Sequence, residues 1–269
     1  MPNSAAPYLH GHHESVLRSH RWRTAENSAG YLLPFLHPRA EVLDVGCGPG
    51  TITVGLASHV AEGHVLGIDT SEGVLAGARR EAEEHGRDNV RFEVGDVRHL
   101  GFSDGTFDVV HAHQVLQHVR GPVTALTEMR RVCRPGGIVA ARDGDYGGMF
   151  WFPEDPDLEE WRSLYRRVAT TIGGEPDAGR QLMRWARLAG LREVKASSSS
   201  WCYSTPDERS WWGELWAERL VRSDFARQAT SSGLATRDDL ERLAGAWRRW
   251  AASEDGWFVV AHGEILGRA

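Results

Sequence analysis

Cysteine is scarce. Cys47, Cys133 and Cys202 are odd in number, widely spaced and free of any C-x-x-C pair. That argues against a disulfide scaffold and a thiolate zinc site and suits a reducing cytoplasm. No run of eighteen apolar residues occurs, so no membrane-spanning segment is expected. The N-terminus lacks the basic, then apolar, then small-residue succession of a secretory signal. Long basic runs are also missing, and 31 Lys and Arg face 37 Asp and Glu for a net charge of −6. A broad cationic face for nucleic acid is therefore disfavoured. Repeats and low-complexity tracts are absent. What is present is ordinary for a globular chain: 269 residues, 41% apolar and 25% charged, enough for one large core.

After a polar, histidine-rich segment over residues 1–40, a regular alternation begins. Strands are expected at Glu41–Val45, Val65–Asp69, Val90–Val94, Phe107–His113 and Ile138–Arg142. Between them, helices are expected at Thr51–Val60, Gly73–His85, near Gln114–Val119 and at Val123–Cys133, the last stopped by Arg-Pro-Gly-Gly. Strands alternating with helices predict an α/β fold, a doubly wound and mostly parallel sheet covered on both faces. Beyond Asp143 the character changes, and ten of the eleven tryptophans lie past residue 150. Helices are expected at Leu158–Ile172, Ala178–Ala189, Pro206–Thr230 and Thr236–Ala252, with extended segments at Arg192–Thr205 and Trp257–Leu266. This reads as a single domain over 1–269. A cofactor-binding core over 41–145 is followed by helical insertions at 146–190 and 206–252, which form a Trp-rich lid, and by a closing strand over 257–268.

The strongest local signal is Val-Leu-Asp-Val-Gly-Cys-Gly-Pro-Gly over residues 42–50. It leaves a strand and opens a helix, where glycines permit a tight turn and close approach of a ligand. Asp69 ends the second strand, placed to accept hydrogen bonds from a ribose diol, and Asp96 ends the third in Gly-Asp-Val, placed for an adenine amine. Turn and cap chemistry explains any one of these; three at successive strand ends point to a ligand. The G-x-G-x-G spacing and the preceding Asp44 suit a ligand bearing an ammonium or sulfonium better than a pyrophosphate, which argues against an NAD-dependent oxidoreductase.

Val42–Gly50, Asp69, Gly95-Asp96, Phe107-Asp108-Val109-Val110 and Arg131-Val132-Cys133-Arg134-Pro135-Gly136-Gly137 together resemble the ordered motifs of class I S-adenosylmethionine-dependent methyltransferases. The similarity is nearest to the ubiquinone/menaquinone-biosynthesis-like group acting on small molecules. It implies a seven-stranded Rossmann-like sheet whose last strand is antiparallel, and S-adenosyl-L-methionine as cofactor. By the same resemblance Gly46, Cys47 and Gly48 line the cofactor, Asp44 lies near its amino group, and Asp69 with Thr70 holds the ribose. Asp96 and Val97 stand at the adenine, and His113 and Gln114 run along the cofactor. Residues 1–40 are expected to cover it.

Methyl transfer needs alignment, exclusion of water and, where the nucleophile carries a proton, a base within reach. His113, Asp143, Asp145 and Tyr146 are the catalytic candidates, although Asp and Gly in Asp143–Gly148 also favour turns for local reasons. His111 and His113 share one side of a strand, but a metal site lacks a third ligand, so none is expected. His118 reads as a structural helix-end residue. Tyr146, Trp212 and Trp216 are candidates for an aromatic substrate pocket, against a reading of the tryptophans as packing. After strand four Ala-His-Gln-Val replaces the Asn-Pro-Pro-Tyr of enzymes that methylate DNA amines, and no Pro-Cys stands there. The expectation is transfer to nitrogen or oxygen of a small apolar or aromatic metabolite by a cytoplasmic monomer or homodimer, with no nucleic-acid or membrane partner. Carbon methylation of a quinone-like compound and non-catalytic cofactor binding are the alternatives.

Overall fold

The computed structural model describes His20 and residues 22–269. Half of the segment expected to cover the cofactor, residues 1–19 and 21, lies outside the described residues. Eight strands are present among the rest: β1 (Glu41–Val45), β2 (His64–Asp69), β3 (Val90–Val94), β4 (Phe107–His113), β5 (Cys133–Gly144), β6 (Phe150–Phe152), β7 (Arg192–Tyr203) and β8 (Trp257–Arg268). They join in one sheet, ordered β3-β2-β1-β4-β5-β8, with β7 on the far side of β8. The strands from β3 to β5 pair in parallel, and β8 runs antiparallel to β5, β6 and β7. The short β6 is an addition to the expected set. It pairs with residues 257–259 of β8, on the edge that β5 occupies over residues 262–268. Eight strands thus fill seven columns, which reconciles the expected seven with the observed eight.

The helices are α1 (Ala25–Ala29), α2 (Thr51–His59), α3 (Glu72–Glu84), α4 (Pro122–Val132), α5 (Pro156–Thr171), α6 (Ala178–Leu188), α7 (Pro206–Arg222), α8 (Asp224–Ser231) and α9 (Arg237–Ala252). Side chains alternate across each strand, and the two faces pack separately. Val42, Val109 and Ala140 pack with α1 and α2; Leu43, Val110 and Ala141 pack with α4 and α6. Two expectations are corrected. No helix forms at 114–119: Gln114 adopts a left-handed φ of 53° and the chain turns there. The expected single helix over 206–230 breaks at Ser223, whose hydroxyl accepts from the Phe225 N–H and caps α8.

The tryptophans mostly form a second core. Trp161, Trp216, Trp247 and Trp250 are buried among α5, α7 and α9. Trp161 meets Trp216 edge-on with ring centres 4.6 Å apart, and Trp247 at 4.7 Å. Such packing contributes about 0.5–1.5 kcal/mol per pair beyond burial. Helix α7 reaches the carboxyl ends of β4 and β5, where Trp212 and Trp216 gather with Gln114 and Gly144 around one small cavity. Among the described residues no helix is long and apolar enough to cross a membrane.

Candidate active site

The loop after β1 turns because three of its residues are glycines. Gly48 and Gly50 show why the residue type matters. Both have left-handed φ, 56° and 86°. A Cβ on Gly50 would lie 2.8 Å from the Ala78 Cβ and 3.1 Å from Phe92, so α2 can start close against α3 only without a side chain. At Gly48 a Cβ would meet nothing nearer than His20 Nδ1 at 3.9 Å, because that residue faces a cavity.

The cavity has a volume of about 210 Å³ and lies at the carboxyl ends of β1, β2, β3 and β4. Asp44, Gly46, Cys47 and Gly48 line it from β1 and its loop, Asp69 and Thr70 from β2, Asp96 and Val97 from β3, and His113 and Gln114 from β4. All the positions expected to meet the cofactor thus converge on one space. Asp44 is buried and pairs with His111, its register partner on β4, through Nδ1 at 2.8 Å. It also accepts from Thr53 Oγ1 at 2.6 Å. His111 is therefore an interior residue hydrogen-bonded to Asp44, and no group of three or more candidate metal ligands occurs among the described residues. Asp69 accepts from the Gly48 N–H at 3.1 Å and the Ser71 N–H at 3.0 Å, which fixes its carboxylate across the glycine turn. Asp96 departs from the simplest expectation. Both its oxygens already accept from Arg98, which holds its pKa below the ordinary value. Burial pushes the Cys47 thiol well above its ordinary pKa, which disfavours the thiolate.

A second, smaller cavity of about 30 Å³ adjoins the first. The two share His20, Arg23, Gln114 and His118 in their walls. Its other walls include Tyr146, Trp212 and Trp216, the three positions expected at a substrate pocket. Gln114 stands at the junction, its side-chain oxygen accepting from Arg23 at 2.9 Å. The Gln114 backbone N–H donates to the Arg142 carbonyl at 2.7 Å, and that bond holds its left-handed turn against β5.

The remaining candidates divide. His113 is buried on the first cavity's wall, and neither of its ring nitrogens has a hydrogen-bond partner among the described residues. Burial, and then the nearby Arg142 charge, holds its pKa well below the ordinary value. His118, expected to be structural, borders both cavities and contacts Gln117 at 2.9 Å, and burial lowers its pKa to about 3. Asp143 and Asp145 line neither cavity. Asp143 accepts from the Gln117 N–H at 3.0 Å and has its pKa raised by burial to about 7. Asp145 accepts from the Arg180 backbone N–H at 3.0 Å and from its Nε at 2.8 Å, and it caps the turn at Gly148. Asp143, within β5, holds the turn that follows β4, and Asp145 organises the loop after β5. Arg23, His118, Tyr203 and Arg219 join the wall of the second cavity without any local sequence signal, since separate segments bring them together.

A methyltransferase-domain family model matches residues 36–190. The chain is 33% identical over 273 residues to an uncharacterised methyltransferase of Schizosaccharomyces pombe, covering 98% of this chain and 97% of that one. It is also 33% identical to a probable methyltransferase of Aspergillus luteorubrus, over 96% of each chain. Among solved structures, the YcgJ protein of Bacillus subtilis superposes with a TM-score of 0.59 at 19% identity, over 89% of this chain and 96% of that one. A phosphoethanolamine N-methyltransferase of Haemonchus contortus, solved with S-adenosylhomocysteine, gives 0.54 at 18% identity, over 87% of this chain and 49% of that one. These two likenesses show a shared fold.

Proposed function

The chain belongs to the S-adenosylmethionine-dependent methyltransferases, and from that premise we propose that it methylates a nitrogen or oxygen of a small apolar or aromatic metabolite. The observation that carries this reading is the pairing of two contiguous cavities, one edged by carboxylates and glycine backbone, the other by aromatic rings, with Gln114 and His118 between them.

The first cavity fits the cofactor. Asp69 is held across the glycine turn where a ribose diol can donate to it, and Gly48 leaves room for close approach. Asp44 offers buried negative charge for the ammonium of the amino-acid end. Asp96, braced by Arg98, and Val97 border the nucleoside end. When bound, the cofactor supplies an activated methyl on a sulfonium; the protein supplies position and environment. His113 and His118 are held neutral by burial, so neither adds a positive charge beside a sulfonium. The aromatic wall of Tyr146, Trp212 and Trp216 excludes water and orients a flat substrate. The neutral imidazole of His113, next in the chain to Gln114 at the junction, has a lone pair that can accept a hydrogen bond from a nucleophile's N–H or O–H.

Calorimetric titration tests the reading. S-adenosylhomocysteine is expected to bind and NADH not to. Asp69→Ala is expected to weaken S-adenosylhomocysteine by about tenfold or more, as befits loss of charge-assisted hydrogen bonds worth about 1.5–3 kcal/mol. An unchanged affinity in a folded Asp69→Ala protein removes the assignment of the ribose site.

A further inference from the structure

Gln117 is 5% exposed, and its backbone and side chain are both engaged. Its N–H donates to Asp143 Oδ1 at 3.0 Å, and its carbonyl accepts from the Glu175 N–H at 2.9 Å. Its side-chain oxygen accepts from the Gly144 N–H at 2.9 Å. The chain presses close on both sides. A Cβ on Gly144 would lie 3.0 Å from that side-chain oxygen, and one on Gly174 would lie 2.8 Å from the Gln117 carbonyl oxygen. A backbone N–H can only donate, so Gly144 decides which end of the amide is oxygen. The amide nitrogen is thereby turned toward His118, 2.9 Å from Nε2.

That contact sets the state of the imidazole. An amide nitrogen can only donate, so His118 Nε2 must accept. Burial holds His118 neutral, and a neutral imidazole has one N–H, which then sits on Nδ1. His118 stands in the wall of both cavities and of a third, of about 10 Å³, beside α5 and residues 172–176. Its Nε2 lone pair is occupied by Gln117, whereas the ring nitrogens of His113 have no hydrogen-bond partner among the described residues.

From this geometry we propose that Gln117 is a positioning residue that holds His118 as the Nδ1–H tautomer, so that His118 faces the junction of the cavities as a hydrogen-bond donor and not as a base. The inference rests on the methyltransferase reading above and divides the work of its two neutral histidines: His113 accepts, and His118 donates. Gln117 itself reaches the second and third cavities but not the first. Its effect on the site therefore runs through the imidazole it holds. The glycines beside it serve the same end, because Gly144 must come close enough to fix the amide before the amide can fix the ring.

The test is nitrogen-15 magnetic resonance of the imidazole rings in the full chain near neutral pH, with His118 assigned through its backbone connectivities. The two ring nitrogens give different signals according to which one carries the proton. The free protein is expected to show His118 protonated on Nδ1. Saturation with S-adenosylhomocysteine is expected to shift the His118 ring signals and leave the proton on Nδ1. Gln117→Met, which keeps the length of the side chain and removes the amide, is expected to bring up the Nε2–H form. A residue that only braced its loop would change the melting temperature of Gln117→Met and leave the tautomer as it was. Three results overturn the proposal: the proton on Nε2 in either wild-type state, His118 signals unmoved by S-adenosylhomocysteine that binds, or a tautomer in Gln117→Met identical to the wild type. Failure of S-adenosylhomocysteine to bind the wild type overturns the methyltransferase reading instead, and the tautomer is still read in the free protein. Should Gln117→Met not fold, the two wild-type states still decide.

Discussion

Among single residues, Asp143 shows how strand parity separates structure from chemistry. It follows Val139 and Ala141 at alternate positions, so it shares their face and turns away from the cavities. One oxygen accepts from the Gln117 N–H; the other is buried with no partner among the described residues. Burial raises its pKa to about 7. A carboxyl whose folded pKa is raised binds its proton more tightly in the folded state than in the unfolded one. Its contribution to stability is therefore fully present below about pH 4 and is lost as pH rises through about 7, a change on the order of 4 kcal/mol. Asp143→Asn keeps an oxygen for Gln117 and removes the titration. Calorimetric melting across that window is expected to show the wild type losing more stability with rising pH than Asp143→Asn. Parallel curves for the two proteins contradict the assignment.

Among the elements, the glycine turn between β1 and α2 does two separable things. Gly50 sets how closely α2 packs on α3, and Gly48 keeps the cavity floor open. Gly50→Ala combines left-handed strain with a clash against Ala78, and is expected to cost roughly 2–4 kcal/mol. Gly48→Ala meets only the strain, about 1–2 kcal/mol, but its methyl projects toward the cavity. Denaturant unfolding should therefore rank Gly50→Ala as the less stable protein. Titration of Gly48→Ala should show weakened S-adenosylhomocysteine binding in a folded chain. The reverse order of stabilities contradicts this division of labour. Residues 22–24 and α1 are likewise placed by specific contacts. They are fastened to the sheet's far edge, with the Trp201 indole N–H on the Asn27 carbonyl of α1 at 2.9 Å and Trp22 edge-on to Trp201 at 5.2 Å. That anchoring carries Arg23 to the Gln114 junction.

Across the molecule, the order of elements and the cavity-facing strand ends are legible because they depend on local chemistry: glycines where a strand turns sharply, and acidic residues where parallel strands end. Asp44, Asp69 and Asp96 need only strand boundaries to be placed. The aromatic residues are legible as a class but not by role. Trp161, Trp247 and Trp250 form core, whereas Trp201, Trp212 and Trp216 also face the second cavity. That distinction depends on how α7 packs on α9 and β7, which spacing along one helix does not encode. The short β6 is invisible because three residues carry no periodicity. The break at Ser223 looks like continuous helix because its flanks are both helical in pattern. Arg23 and Arg219 lie near opposite ends of the chain, and only folding makes them one wall. The position of Asp143 and Asp145 after the expected strand Ile138–Arg142 suggests a catalytic role, although the alternation of Val139 and Ala141 already sets Asp143 on the other face.

The proposed function requires two adjoining cavities to set a methyl donor against an aromatic wall, and a crystal structure of the full chain with S-adenosylhomocysteine would show whether they do. The expected density runs from Asp44 past Asp69 to Asp96, with the sulfur at the Gln114 and His118 wall, directed toward Tyr146 and Trp212. Density elsewhere, or a sulfur directed away from that wall, would refute the arrangement.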